Sequence, residues 1–96
     1  MAQESNFQRK VVGWLRQKGC YVLTVSTVRG IPDGCPDIIA LIDGGGWLAL
    51  ECKTSQKSKF QPLQKVTIQK LNNMFYSRPI WPSIWDEVKK ELEKII

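Results

Sequence analysis

Asp37, Glu51 and Lys53 are the residues of this chain whose types and spacing could do chemistry, because two carboxylates and an amine stand at the ends of two apolar runs. The runs cover residues 38–42 and 47–50, and the Asp43-Gly44-Gly45-Gly46 stretch between them supplies the positive φ that a β-hairpin turn needs. Asp37 opens the first strand and Glu51-Cys52-Lys53 closes the second. If Ile42 faces Trp47, the pairing carried back sets Asp37 opposite Cys52, between Glu51 and Lys53. Side chains alternate along a strand, so Glu51 and Lys53 share a side. An exposed Glu51–Lys53 ion pair would be worth little and would leave Asp37 unexplained. Two acidic oxygens at the mouth of a sheet instead suit Mg²⁺ or Mn²⁺, which take carboxylate and water ligands. A neighbouring lysine can orient or deprotonate an attacking water, or stabilise charge on a phosphate. That is the equipment of metal-assisted phosphodiester hydrolysis.

The elements that must position this set follow along the chain. A first helix is expected from about Ser5 to Lys18, stopped by Gly19, with Phe7, Val11, Trp14 and Leu15 as its apolar stripe. Glu4 heads that stripe and faces the sheet, unless it serves only as a helix-dipole or capping acid. Residues 21–27 alternate and are rich in β-branched types, which predicts the first strand. The turn-rich segment 28–36 leads into Asp37, with Arg29 as a phosphate ligand; Asp33, in Pro-Asp-Gly, is assigned to a turn. After Lys53 comes a polar basic loop with Lys57 and Lys59, either a solvated connection or a phosphate track. Gln61-Pro62 starts a second helix, on which Gln64, Ile68, Leu71 and Phe75 make one stripe. Gln64 then meets a water on the metal, Lys53 or a phosphate, or else bonds a free backbone amide of the first turn. Arg78-Pro79-Ile80-Trp81-Pro82 is a short edge strand at most. A capping box of Ser83 and Asp86 opens a last helix to about Ile95, buried through Trp85, Val88, Leu92 and Ile95. Trp47, Trp81 and Trp85 belong to the core, or in part to a dimer interface or a base-stacking surface.

Composition narrows the function. Ninety-six residues make one domain, 1–96. The chain contains no histidine, so histidine general-base chemistry is excluded, and three cysteines without close spacing argue against a disulfide framework or a zinc site. The net charge is +5, and residues 1–80 alone carry +6 although three of their five acids are Glu4, Asp37 and Glu51. So basic a body expects a polyphosphate partner. No run reaches the length of a membrane span and the polar start is no signal peptide, so no membrane partner and an intracellular, cytoplasmic setting are expected.

The sequence Gly34-Cys35-Pro36-Asp37 followed by Glu51-Cys52-Lys53 resembles the signature of the PD-(D/E)xK nuclease superfamily. With Glu4 on an opening helix and Gln64 after a proline on the next, the set resembles a VRR-NUC domain, similar to Holliday-junction resolvases of stand-alone phage or bacterial type. The likeness runs from about Glu4 to Leu92. It implies an α/β fold with a restriction-endonuclease-like core: a helix, a small mixed sheet with a central hairpin, and flanking helices. It also implies an endonuclease dependent on Mg²⁺ or Mn²⁺, with Asp37, Glu51, the Cys52 backbone carbonyl and Glu4 (directly or through water) as metal ligands, and Lys53 and Gln64 completing the catalytic set. Arg9, Lys10, Arg29, Lys57, Lys59 and Lys65 are expected on DNA. Resolvase-like modules cut branched DNA as twofold homodimers, since two symmetric nicks need two sites. A monomeric flap or nicking nuclease and a non-catalytic basic DNA-binding module are the alternatives, and metal dependence separates the last from an enzyme.

Overall fold

The computed structural model describes residues 2–96, with the side chains of residues 2–5 and of Thr27 outside the description. The chain forms α1 (Ala2–Gln17), β1 (Tyr21–Thr24), β2 (Ile38–Leu41), β3 (Trp47–Cys52), α2 (Gln64–Met74), β4 (Ser77–Ile80) and α3 (Trp85–Leu92). The sheet order is β1-β2-β3-β4; the first two pairings are antiparallel, and β4 joins β3 in parallel after the α2 crossover. This is the expected α/β architecture, compatible with a restriction-endonuclease-like core.

The alternation of each strand divides the molecule into two layers. Ile38, Ala40, Leu48, Leu50 and Cys52 are buried on one face of the sheet, in a core shared with Phe7, Val11 and Leu15 of α1 and Trp85, Val88 and Leu92 of α3. Phe7 and Trp14 meet Trp85 edge to face, with centroids 6.0 and 5.4 Å apart. The odd-numbered side chains of β2 and β3 point to the other face, where α2 lies against β4. Apolar α1 and α3 therefore seal one side, and the other is left for chemistry.

Several boundaries differ from the sequence expectation, each for a local reason. Ile42 belongs to the turn, its amide bonding the Gly46 carbonyl, so Leu41 and not Ile42 faces Trp47. The first strand stops at Thr24 and gives way to a 3-10 turn over Val25–Thr27, and the Val25 amide bonds the Asp37 carbonyl. α2 begins only at Gln64, because Leu63 before it adopts φ 74°, a left-handed conformation rare outside glycine. Its stripe fades: Gln64 and Ile68 are buried, Leu71 is half-buried and Phe75 is exposed. Ser83 makes no capping bond, since residues 82–84 form a 3-10 turn opened by Pro82. The proline-bearing β4 is real and lies at the edge, where a missing donor is tolerated. No disulfide joins Cys20, Cys35 and Cys52; Cys20 and Cys52 are buried and Cys35 is half-buried.

Candidate active site

The one-residue change of register decides which side chains can meet. Ile38 pairs with Leu50, so one step further Asp37 lies across from Glu51, not from Cys52. A slip of one residue exchanges the faces of a strand. The observed pairing thus puts Asp37 on the face of Glu51 and Lys53, whereas the expected one would have put it on the face of Cys52.

Two bonds brace the acids against the strand ends. The Asp37 amide donates to Glu51 Oε1 at 3.2 Å, and the Cys52 amide donates to Asp37 Oδ2 at 3.0 Å. With the Asp37 carbonyl held at 2.9 Å by the Val25 amide, the start of β2 is fixed from both neighbouring strands. Cys52 itself turns its thiol into the core on the far face.

Lys53 and Gln64 close the cluster. Glu51, Lys53 and Gln64 are 3, 7 and 7% exposed, so each polar atom needs a partner inside the protein. Lys53 Nζ donates to the Lys59 carbonyl at 2.8 Å and to Gln64 Oε1 at 3.2 Å, and it lies 3.3 Å from Glu51 Oε2. Three acceptors match the three hydrogens of an ammonium. Gln64 Nε2 donates to Glu51 Oε2 at 2.8 Å, while its Oε1 also accepts from the Gln61 amide at 2.7 Å. The glutamine therefore plays both parts weighed from sequence, facing the charged residues and satisfying a backbone amide at the start of α2. Phe60 covers the ammonium from the side, with the Lys53 nitrogen 4.7 Å from its ring centroid.

Asp37, Glu51, Lys53 and Gln64 all line one open cavity of about 840 Å³ between the 28–35 loop and the start of α2. Asp33 reaches its rim but sits in the expected turn, where the Cys35 amide bonds the Pro32 carbonyl. Gly34 brings that loop against α2: a Cβ there would lie 2.8 Å from the Leu63 carbonyl oxygen and 2.8 Å from Thr67 Oγ1. Lys59 lines the cavity, and Lys57, Lys65, Arg29, Arg9 and Lys10 are exposed. Arg9 and Arg16 flank a second hollow with Thr24 and Ser26, next to Val25 on the wall of the first. Glu4 falls on α1, and its side chain lies outside the described residues. Phe60 and the Lys59 carbonyl were not singled out from sequence; a lone aromatic in an otherwise polar loop was the available signal.

Electrostatics single out Glu51. Burial, and after it the Asp37 carboxylate, push its carboxyl above the usual range, while Lys53 and Gln64 pull it partly back. Burial and the same two acids raise the Cys35 thiol, which disfavours its thiolate. Two mutually repelling carboxylates on an open cavity, with the Lys53 ammonium against Glu51, fit a hard divalent cation that takes one or two protein carboxylates and completes its shell with water. No group of three acidic, cysteine or histidine ligands occurs among the described residues.

The raised pKa has a measurable consequence. The folded state holds the Glu51 proton more tightly than the unfolded chain, so this contribution is full below the unfolded pKa and is lost as pH rises through the folded one. In chelator, the melting temperature of the wild type should therefore fall relative to Glu51→Gln as the pH is raised from about 4 towards neutrality. Adding Mg²⁺ at neutral pH should raise the wild-type value and leave the variant where it was. A difference that does not change with pH would contradict the coupling.

No curated protein and no solved structure matches the chain. The family model described as archaeal Holliday junction resolvase (Hjc) matches residues 2–79, which include every strand but the last residue of β4 and all four members of the cluster. The chain therefore belongs to the archaeal Holliday junction resolvase family, a PD-(D/E)xK-like group of nucleases acting on branched DNA.

Proposed function

We propose that the protein is an endonuclease dependent on Mg²⁺ or Mn²⁺ that cuts four-way DNA junctions as a homodimer. The observation that carries this is the convergence of Asp37, Glu51, Lys53 and Gln64 on one open cavity, with the buried polar atoms of Glu51, Lys53 and Gln64 bonded to one another. Asp37 and Glu51 would hold the ion, helped by the Cys52 carbonyl and by Glu4 directly or through water. When bound, the ion supplies charge neutralisation at the scissile phosphate and lowers the pKa of a coordinated water. Lys53, held in place by its acceptors, stabilises the negative charge that grows on the phosphate oxygens and orients the attacking water. Gln64 acts chiefly by position, tying Lys53 to Glu51, and offers its second amide hydrogen to the water or the phosphate.

Lys57, Lys59, Lys65 and Arg29 lie around or beside the cavity loops and would follow the DNA backbone, with Arg9 and Lys10 on α1 continuing the track. A second copy is supported by an exposed apolar row: Tyr21 is 69% and its cross-strand partner Leu41 45% exposed, on the sheet face that α2 leaves open. Trp47 and the exposed Phe75 extend that row, their centroids 6.0 Å apart. The likeness to VRR-NUC modules belongs to the same proposal.

The test is a labelled four-way junction beside a linear duplex of the same sequence, each with Mg²⁺, Mn²⁺ or chelator. Paired nicks in the junction alone, only with a divalent ion and from a protein of twice the chain mass in solution, are expected. Equal cutting of linear duplex, or no nick with either ion, would overturn the proposal.

A further inference from the structure

The far side of Lys53 opens on a second feature that the catalytic cluster does not use. We propose that the cleft between Phe60 and Trp81 is a nucleobase-binding pocket, which takes an unpaired base of the strand whose phosphate lies against Lys53. This rests on the nuclease reading above and adds to it a source of preference for branched DNA.

The cleft has a volume of about 360 Å³ and its walls are Phe60, Trp81, Pro79 and Ile68. That is the lower end of the range for small-molecule pockets, roughly 300–1,000 Å³. Lys53 lines both this cleft and the catalytic cavity, so the two hollows share its side chain as a wall. A nucleotide with its phosphate at Lys53 has its base one sugar away, on either side of that wall. The mouth is cationic as well: Lys65, which lines the cleft, has its Nζ 5.4 Å from the Phe60 centroid, beside the 4.7 Å contact of Lys53. Gln56 and Gln69 stand at the edge, where amides can meet the polar rim of any base. Aromatic walls under a cationic mouth are what single-stranded nucleic acid binds, because every base has a π-face and the backbone follows the charge.

A base paired inside a duplex is stacked on both sides and is costly to extrude into such a cleft, whereas one at an open branch point has lost a stacking neighbour and costs less to extrude. Pairing geometry, rather than sequence, is thus what the pocket reads.

The experiment places 2-aminopurine at the nucleotides flanking the cut phosphate of a four-way junction and measures its emission and the junction affinity in chelator, where no cleavage occurs. The wild type should quench one of these positions by stacking. Trp81→Ala should restore the emission and weaken junction binding on the order of tenfold, leaving linear duplex binding unchanged. Trp81→Phe should behave as the wild type. Should Trp81→Ala fail to fold, Gln69→Trp fills the cleft from an exposed position on α2 and should give the same selective loss. Equal losses on junction and linear duplex, unchanged emission in both variants, or a change of solution mass in place of base affinity, which would give the cleft to a second copy of the chain, would each overturn the proposal. Normal metal-dependent junction cutting with no base quenched would sink the pocket alone; quenching without any cutting would sink the nuclease reading and leave the pocket standing.

Discussion

Lys53→Ala should lower junction cleavage by about a thousandfold or more while the protein stays folded at 25 °C and keeps most of its DNA affinity. The size of the effect comes from where the ammonium is. It is 7% exposed and fixed by the Lys59 carbonyl, Gln64 and Glu51, so its charge works where water screens it little and no reorganisation is needed as the phosphate gains charge. Removing it leaves Glu51 buried without its counter-ion, which would ordinarily be costly. Glu51 already has a raised pKa and can take up a proton, so the loss in stability is softened while the loss in rate is not. Lys53→Arg should fail almost as badly, because a planar fork does not reproduce three acceptors arranged about a point charge. DNA affinity survives because Lys57, Lys59 and Lys65 lie outside the cluster on exposed positions. Cleavage rate, circular dichroism and binding in chelator check the three parts separately. Wild-type cutting by Lys53→Ala would dismiss the assigned role.

The same burial explains what the sequence could disclose of this site. Asp37, Glu51 and Lys53 were legible because charges beside runs such as Ile38-Ile39-Ala40-Leu41 are out of place unless they serve something. Gln64 was legible for the same reason, as a polar residue on the stripe of Ile68. The register was not legible to one residue: whether Ile42 ends a strand or begins a turn depends on its amide reaching Gly46, and three consecutive glycines permit several turns. That single residue decides whether Asp37 joins Glu51 or faces the core. The start of α2 was obscured by Leu63, whose φ of 74° no propensity would assign to leucine. The contribution of Phe60 arises only when the 54–63 loop folds back over Lys53, a tertiary event with no local pattern.

Gly34→Ala should be the most destabilising small substitution in the loop, and its size can be built from two terms. Residue 34 has φ +86°, which costs a non-glycine residue roughly 1–2 kcal/mol. The added methyl would also stand 2.8 Å from the Leu63 carbonyl oxygen and from Thr67 Oγ1. The hydroxyl can rotate away, but the carbonyl is pinned by the Thr67 amide at 2.9 Å, so either the start of α2 or the loop must give way. Overpacking of this kind typically costs about 1–3 kcal/mol. Together these make roughly 2–5 kcal/mol, which for a domain of this size lowers the melting temperature by on the order of 10–30 °C. Gly30→Ala is the control. Gly30 has a similar φ of +77° but open space where its Cβ would go, so it should show the conformational part alone. The difference between the two variants measures the close approach that seats the loop leading into Asp37 against the start of α2, on the cavity that Asp37 and Gln64 both line. Cleavage at 25 °C should fall with Gly34→Ala and hold with Gly30→Ala. Equal melting temperatures for the two would mean that the loop yields freely, and that the braces on Asp37 from Val25 and Cys52 suffice to hold the acid in place.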